Sequence, residues 1–126
     1  MRTAANLSAD QAAPRAARDL VRGMAEQAGC APERVEQAVL LVSELVTNAV
    51  LHGATDVVRV ALDVDARTVS VAVHDRSPGA PQVLDVDPSR LHGRGLHLVD
   101  GLAEAWGVER RDGDGEKAVW FRVPCH

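Results

Sequence analysis

The chain has 126 residues, 46% of them apolar and 25% charged, the proportions of one ordinary globular domain rather than of a disordered chain. Its net charge of -4 at pH 7 argues against nucleic acid as the main partner, because no basic stripe offsets phosphate repulsion. No apolar run approaches the roughly 20 residues of a membrane helix, and no basic-then-apolar leader opens the chain, so a cytoplasmic location without membrane or direct nucleic-acid contact is expected.

In chain order, residues 1–13 read as an N-terminal segment with room for flexibility, and 14–126 as a single domain. Ser8 with Gln11 suits a capping box, and Pro14 a first helical turn. Ala17, Leu20, Val21, Met24 and Ala28 recur at helical spacing, which predicts a first helix stopped by Gly29. Pro32 is a fitting start for a second helix running to His52 and closed by Gly53. Val35, Val39, Val42, Val46, Ala49 and Val50 form its apolar side. Glu44, Asn48 and His52 lie opposite with Gln37, and Leu40, Leu41 and Leu51 are interleaved among them. Both faces of this helix are therefore expected to be used, one against a sheet and one lining a cleft or meeting the first helix.

Val57–Val64 and Thr68–Asp75 alternate as strands across a tight Asp65-Ala66-Arg67 turn. Ser77-Pro78-Gly79-Ala80-Pro81 is a loop by composition. Gly95 to Ala105 reads as a third helix, and Trp106–Arg110 with Glu116–Val123 as a final hairpin in which Trp106 and Trp120 pack as strand aromatics. The order αα-ββ-α-ββ predicts an α/β (α+β) two-layer sandwich, with helices on one face of a mixed, largely antiparallel sheet. One Phe, two Trp and no Tyr leave Val, Leu and Ala to build the core. Cys30 and Cys125 lack the paired spacing of a zinc or redox motif, and in a cytoplasmic chain they are expected to be separate reduced thiols.

The chemistry concentrates in Ser43-Glu44-Leu45-Val46-Thr47-Asn48-Ala49-Val50-Leu51-His52-Gly53. Four-residue spacing rotates each successive polar group by only about 40° around the helix, so a carboxylate, a carboxamide and an imidazole share one stripe. Their order suggests a base, then a hard-cation ligand, then a polar anchor. Asn is unfavourable inside a helix, which favours a ligand role for Asn48. Asp75 closes an alternating strand, and Gly93-Arg94-Gly95 opens a helix whose backbone N–H groups suit phosphate. A carboxylate that accepts from an exocyclic amine favours adenine over guanine. A nucleotide site is the leading expectation.

Glu44-Leu45-Val46-Thr47-Asn48-Ala49-Val50-Leu51-His52-Gly53 resembles the N box of the GHKL (Bergerat-fold) ATPases. Asp75 with Gly79 resembles the adenine box, and Gly93-Arg94-Gly95-Leu96-His97-Leu98-Val99 the glycine-helix box. Within that superfamily the chain is similar to the small bacterial anti-sigma-factor serine/threonine kinases. The resemblance implies ATP and Mg²⁺ as cofactors, Glu44 as general base, Asn48 as magnesium ligand and Asp75 as the partner of the adenine amino group. It adds Gly79, Gly93, Arg94, Gly95 and Leu96 around the nucleotide, with His52 as an anchor beside it. It implies a sigma factor and an anti-anti-sigma antagonist as partners, the antagonist being phosphorylated on serine, and leaves room for a homodimer. The family's Asp-x-Gly-x-Gly here reads Asp75-Arg76-Ser77-Pro78-Gly79, and the stretch Ala80–His92 is short. A nucleotide-regulated binding module with little or no kinase activity therefore stands as the alternative. A two-component sensor is disfavoured, since little chain precedes the N box to supply a helical hairpin with a phosphoacceptor histidine.

Overall fold

The computed structural model describes residues 1–53, 56–76, 101–110 and 115–126. Chain order is β1 (Arg2–Ser8), α1 (Ala13–Gln27), α2 (Pro32–His52), β2 (Val57–Val64), β3 (Thr68–Arg76), β4 (Ala105–Arg110) and β5 (Glu116–Pro124). The strands form one sheet in the order β1-β2-β3-β5-β4, and every neighbouring pair is antiparallel. Both helices cover one face, so the expected sandwich is observed.

Alternation decides which face is covered. Val58, Val60, Leu62 and Val64 of β2, Val69, Val71 and Val73 of β3, and Phe121 and Val123 of β5 are buried beneath the helices. Against them α2 sets Val35, Ala38, Val39, Leu41, Val42, Leu45, Val46 and Ala49. Each fully buried Val or Leu contributes about 1.5–3 kcal/mol, so this valine-rich seam is the main source of stability. Leu41, interleaved with the polar stripe in the sequence, is wholly buried, whereas Leu40 and Leu51 are exposed. Helix α1 lies along α2, where Arg22 pairs with Glu36 and Arg18 Nη1 donates to Ser43 Oγ at 2.9 Å.

Local punctuation matches the residues. Gly29 takes φ +79°. Its N–H bonds Glu26 O at 3.0 Å, and the Cys30 N–H bonds Ala25 O at 3.1 Å, the two bonds of a glycine C-cap. The Asp65 carboxylate accepts from Arg67 N and Thr68 N at 2.7 and 2.8 Å, fixing the β2–β3 turn and holding its carboxyl below the usual range. The capping box expected at Ser8 is not formed. Ser8 ends β1, and the turn is made instead by Asp10, whose Oδ1 accepts from Ala12 N at 2.9 Å.

Three further expectations change. The segment ahead of α1 is a strand: Thr3, Ala5 and Leu7 pair with Leu62, Val60 and Val58. Its Ala-rich sequence has little strand propensity of its own, and the pairing supplies it. Cys30 and Cys125 are not separate thiols but a disulfide, with Cα atoms 4.6 Å apart. The end of β5 returns to the α1–α2 turn, where Ala31 N donates to Cys125 O at 2.8 Å and Cys125 N donates to Arg67 O at 2.7 Å. The third helix ends before Ala105: residues 101–102 are helical and β4 begins at Ala105, while the part expected over 95–100 lies outside the described residues.

On the open face of the sheet, Trp120 lies across the backbone of β4. A methyl group at Gly107 would stand 2.9 Å from Trp120 Nε1, so only glycine allows that approach.

Candidate functional site

Helix α2 carries Glu44 and Asn48 one turn apart, and both are half-buried. His52, in the last turn, is exposed and placed favourably for the negative end of the helix dipole. The helix stops at Gly53, whose N–H bonds Ala49 O at 2.9 Å. A methyl group at Gly53 would overlap that same carbonyl oxygen and stand 3.5 Å from Cβ of Asp75. The end of the polar stripe and the end of β3 therefore meet, and it is the Ala49 carbonyl that requires glycine there.

Asp75 follows Val69, Val71 and Val73 on the covered face of β3, where the period of two would place another valine. It is 6% exposed and is the buried charged residue among those described. Burial pushes its carboxyl above the ordinary carboxylate value, and Lys117, Arg110 and His74 pull it back. Lys117 lies opposite it on β5, with Nζ 3.9 Å from Oδ1. Arg110 of β4 lies opposite Lys117 in turn. His74 points to the other face, where its Nδ1 is 3.2 Å from Glu116 Oε1.

Two acceptors here are left over. Asn48 Oδ1 and Asp75 Oδ1 are buried and make no hydrogen bond; Arg34 Nε, at the far end of α2, is the other such side-chain atom among the described residues. An unpaired buried acceptor is costly, and these two, one on α2 and one at the end of β3, have lone pairs open to a donor or a cation. The donor set fits a divalent cation of the magnesium kind. Among the described residues no three His, Cys, Asp or Glu side chains cluster, and Mg²⁺ needs only one or two protein oxygens beside phosphate and water. The lone Asp75 oxygen fits an amino donor such as that of adenine.

Of the expected site residues, the structure thus brings Asn48 and Asp75 to one end of the domain, with Glu44 a turn back along α2. Gly79, Gly93, Arg94, Gly95 and Leu96 lie outside the described residues. Sequence reading missed Lys117. It is the single lysine of the chain, and the alternation Lys117-Val119-Phe121-Val123 puts it on the covered face. Only the β3–β5 pairing shows that it opposes Asp75.

The chain belongs to the histidine kinase-like ATPase domain family, whose pattern it matches over residues 7–123; membership implies ATP binding. No curated protein matches it in sequence. Among solved structures it is similar to the RsbU and RsbW domains of Rv1364c from Mycobacterium tuberculosis, with TM-score 0.73 and 23% identity over 98% of this chain and 31% of that one. A histidine kinase domain from Erythrobacter litoralis, blue-light activated, gives 31% identity and TM-score 0.54 over 74% of this chain and 45% of that one. The SiaB–SiaC complex from Pseudomonas aeruginosa gives TM-score 0.59 and 14% identity over 97% and 89%. The chain spans about a third and about half of the first two. No helix among the described residues is long and apolar enough to cross a membrane.

Proposed function

We propose that this protein is an ATP-binding regulator of the anti-sigma-factor serine kinase type, which binds a sigma factor and phosphorylates a serine of the antagonist protein. The observation that carries the reading is the pair of buried, unpartnered acceptors, Asn48 Oδ1 and Asp75 Oδ1. They stand at the two positions where a metal ligand and an amino-group partner are expected. Asp75 would accept from the adenine 6-amino group, and Asn48 would hold Mg²⁺. The bound ion would offset the charge of the phosphate oxygens. Glu44, one turn back on the same stripe, would take the proton of a serine hydroxyl at its carboxylate. The partners are proposed on likeness of fold, since one neighbour contains an RsbW domain and another is the SiaB–SiaC complex.

Calorimetry with ATP and GTP, each with and without magnesium, tests the site. Preference for ATP that strengthens with magnesium is expected; equal affinity for both, or none for either, sinks the assignment. Transfer is tested by mixing the protein with small antagonist proteins of its own genome and mapping phosphoserine by mass spectrometry. Glu44→Gln should retain ATP binding and lose transfer by about 100- to 10,000-fold, the usual worth of a positioned general base. Ser77 in place of the first glycine and the short Ala80–His92 stretch favour a second reading, a nucleotide-regulated binder. Wild type that captures an antagonist in an ATP-sensitive way yet phosphorylates none would establish it.

A further inference from the structure

We infer that Lys117 is a positioning residue for base recognition: from β5 its ammonium keeps the buried Asp75 carboxylate charged while leaving Oδ1 free to accept from the ligand. The inference rests on the nucleotide-site reading above. At 3.9 Å, Lys117 Nζ and Asp75 Oδ1 are close enough to attract strongly at the edge of a core, and too far apart for a hydrogen bond. Asp75 Oδ1 accordingly has a cation nearby and no donor on it.

Both halves of that arrangement matter. A hydrogen bond from Lys117 would occupy the oxygen that an exocyclic amine needs. Without a cation, burial would favour the neutral acid, whose O–H would face the amine donor to donor. Charge at middle distance avoids both outcomes. The surroundings assign the task to Lys117. Its side chain is 18% exposed, whereas Arg110, next in the row, is exposed on the edge strand. His74 lies on the opposite face against Glu116. At the C-cap of α2, Gly53 stands beside Asp75 and has no side chain, while His52, the titratable group of the last turn, is exposed.

Two readouts on wild type, Lys117→Met and Lys117→Arg test it: the carboxyl titration of Asp75 by NMR without nucleotide, and Mg-ATP affinity across pH. Wild-type affinity should be flat at every pH above its own Asp75 midpoint, where the carboxylate is charged. In K117M the Asp75 midpoint should move up, and ATP affinity should fall about tenfold per pH unit below that midpoint, as one linked proton requires. K117R should restore both. Lys117→Gln, which keeps a polar group, should reproduce the K117M profile if methionine unfolds the chain. K117M or K117Q in which Asp75 titrates as in wild type, or which loses affinity equally at every pH, overturns the inference while the nucleotide site stands. Wild type that binds no nucleotide overturns the site reading, and base positioning falls with it.

Discussion

Asn48 is a residue poor for the fold at the position proposed for a magnesium ligand. Asn is weak in a helix interior by up to about 0.7 kcal/mol against Ala, and here its carbonyl oxygen is buried without a partner. Asn48→Ala removes both costs. The ligand-free variant should melt slightly higher than wild type, by an amount matching about 0.5 kcal/mol or more, and should lose the magnesium-dependent part of ATP affinity in calorimetry. A variant that unfolds would give Asn48 a structural role instead. Asp75 behaves alike through its proton. Its carboxyl is raised in the fold by burial, so the folded state binds the proton more tightly than the unfolded chain. That stabilisation is fully present below the unfolded value and is lost as pH rises through the folded one. Asp75→Asn should remove this decline from the pH dependence of unfolding. It should also weaken ATP by about 10- to 100-fold, the worth of a hydrogen bond to a charged group.

Helix α2 separates two duties by angle. Val42 and Val46 are wholly buried against the sheet, while Glu44 and Asn48 turn away from it. Val46→Asp would bury an unpaired charge and should cost about 4 kcal/mol or more, visible as loss of the cooperative transition in urea. Asn48→Ala, two positions on, should leave that transition in place. Tolerance of Val46→Asp would mean that the faces are assigned the wrong way round. These faces were legible in the sequence because a period of 3.6 is a local property that a single segment displays. Leu41 was the exception. It belongs to the wide apolar arc that a helix shows when both of its faces are covered, and α2 alone left open whether the second face lines a cleft or meets the first helix.

The whole molecule is closed by contacts between distant residues. The Cys30–Cys125 disulfide joins residues 95 apart, and in the chain-entropy account a loop of that size stabilises by about 4–5 kcal/mol. Cys125→Ser, or reduction of the wild type, should lower the denaturation midpoint accordingly. Equal midpoints in oxidising and reducing buffer would show that the bond is not formed in solution. Strand β1 closes the other side, its inner residues Thr3, Ala5 and Leu7 extending the valine rows of β2.

What the sequence determined by itself was periodic or contiguous: the two helices, the β2–β3 hairpin, the terminal hairpin and the polar stripe from Glu44 to His52. Those features need no partner to be seen, because spacing within one segment already sorts side chains by face. Tertiary structure alone decided the rest. That Lys117 opposes Asp75 follows from β5 lying between β3 and β4, and that an alanine-rich start is a strand follows from its register with β2. That two far cysteines meet follows from β5 ending at the α1–α2 turn. Each depends on which distant segments share hydrogen bonds, and pairing free energy is set jointly by both partners rather than written into either one.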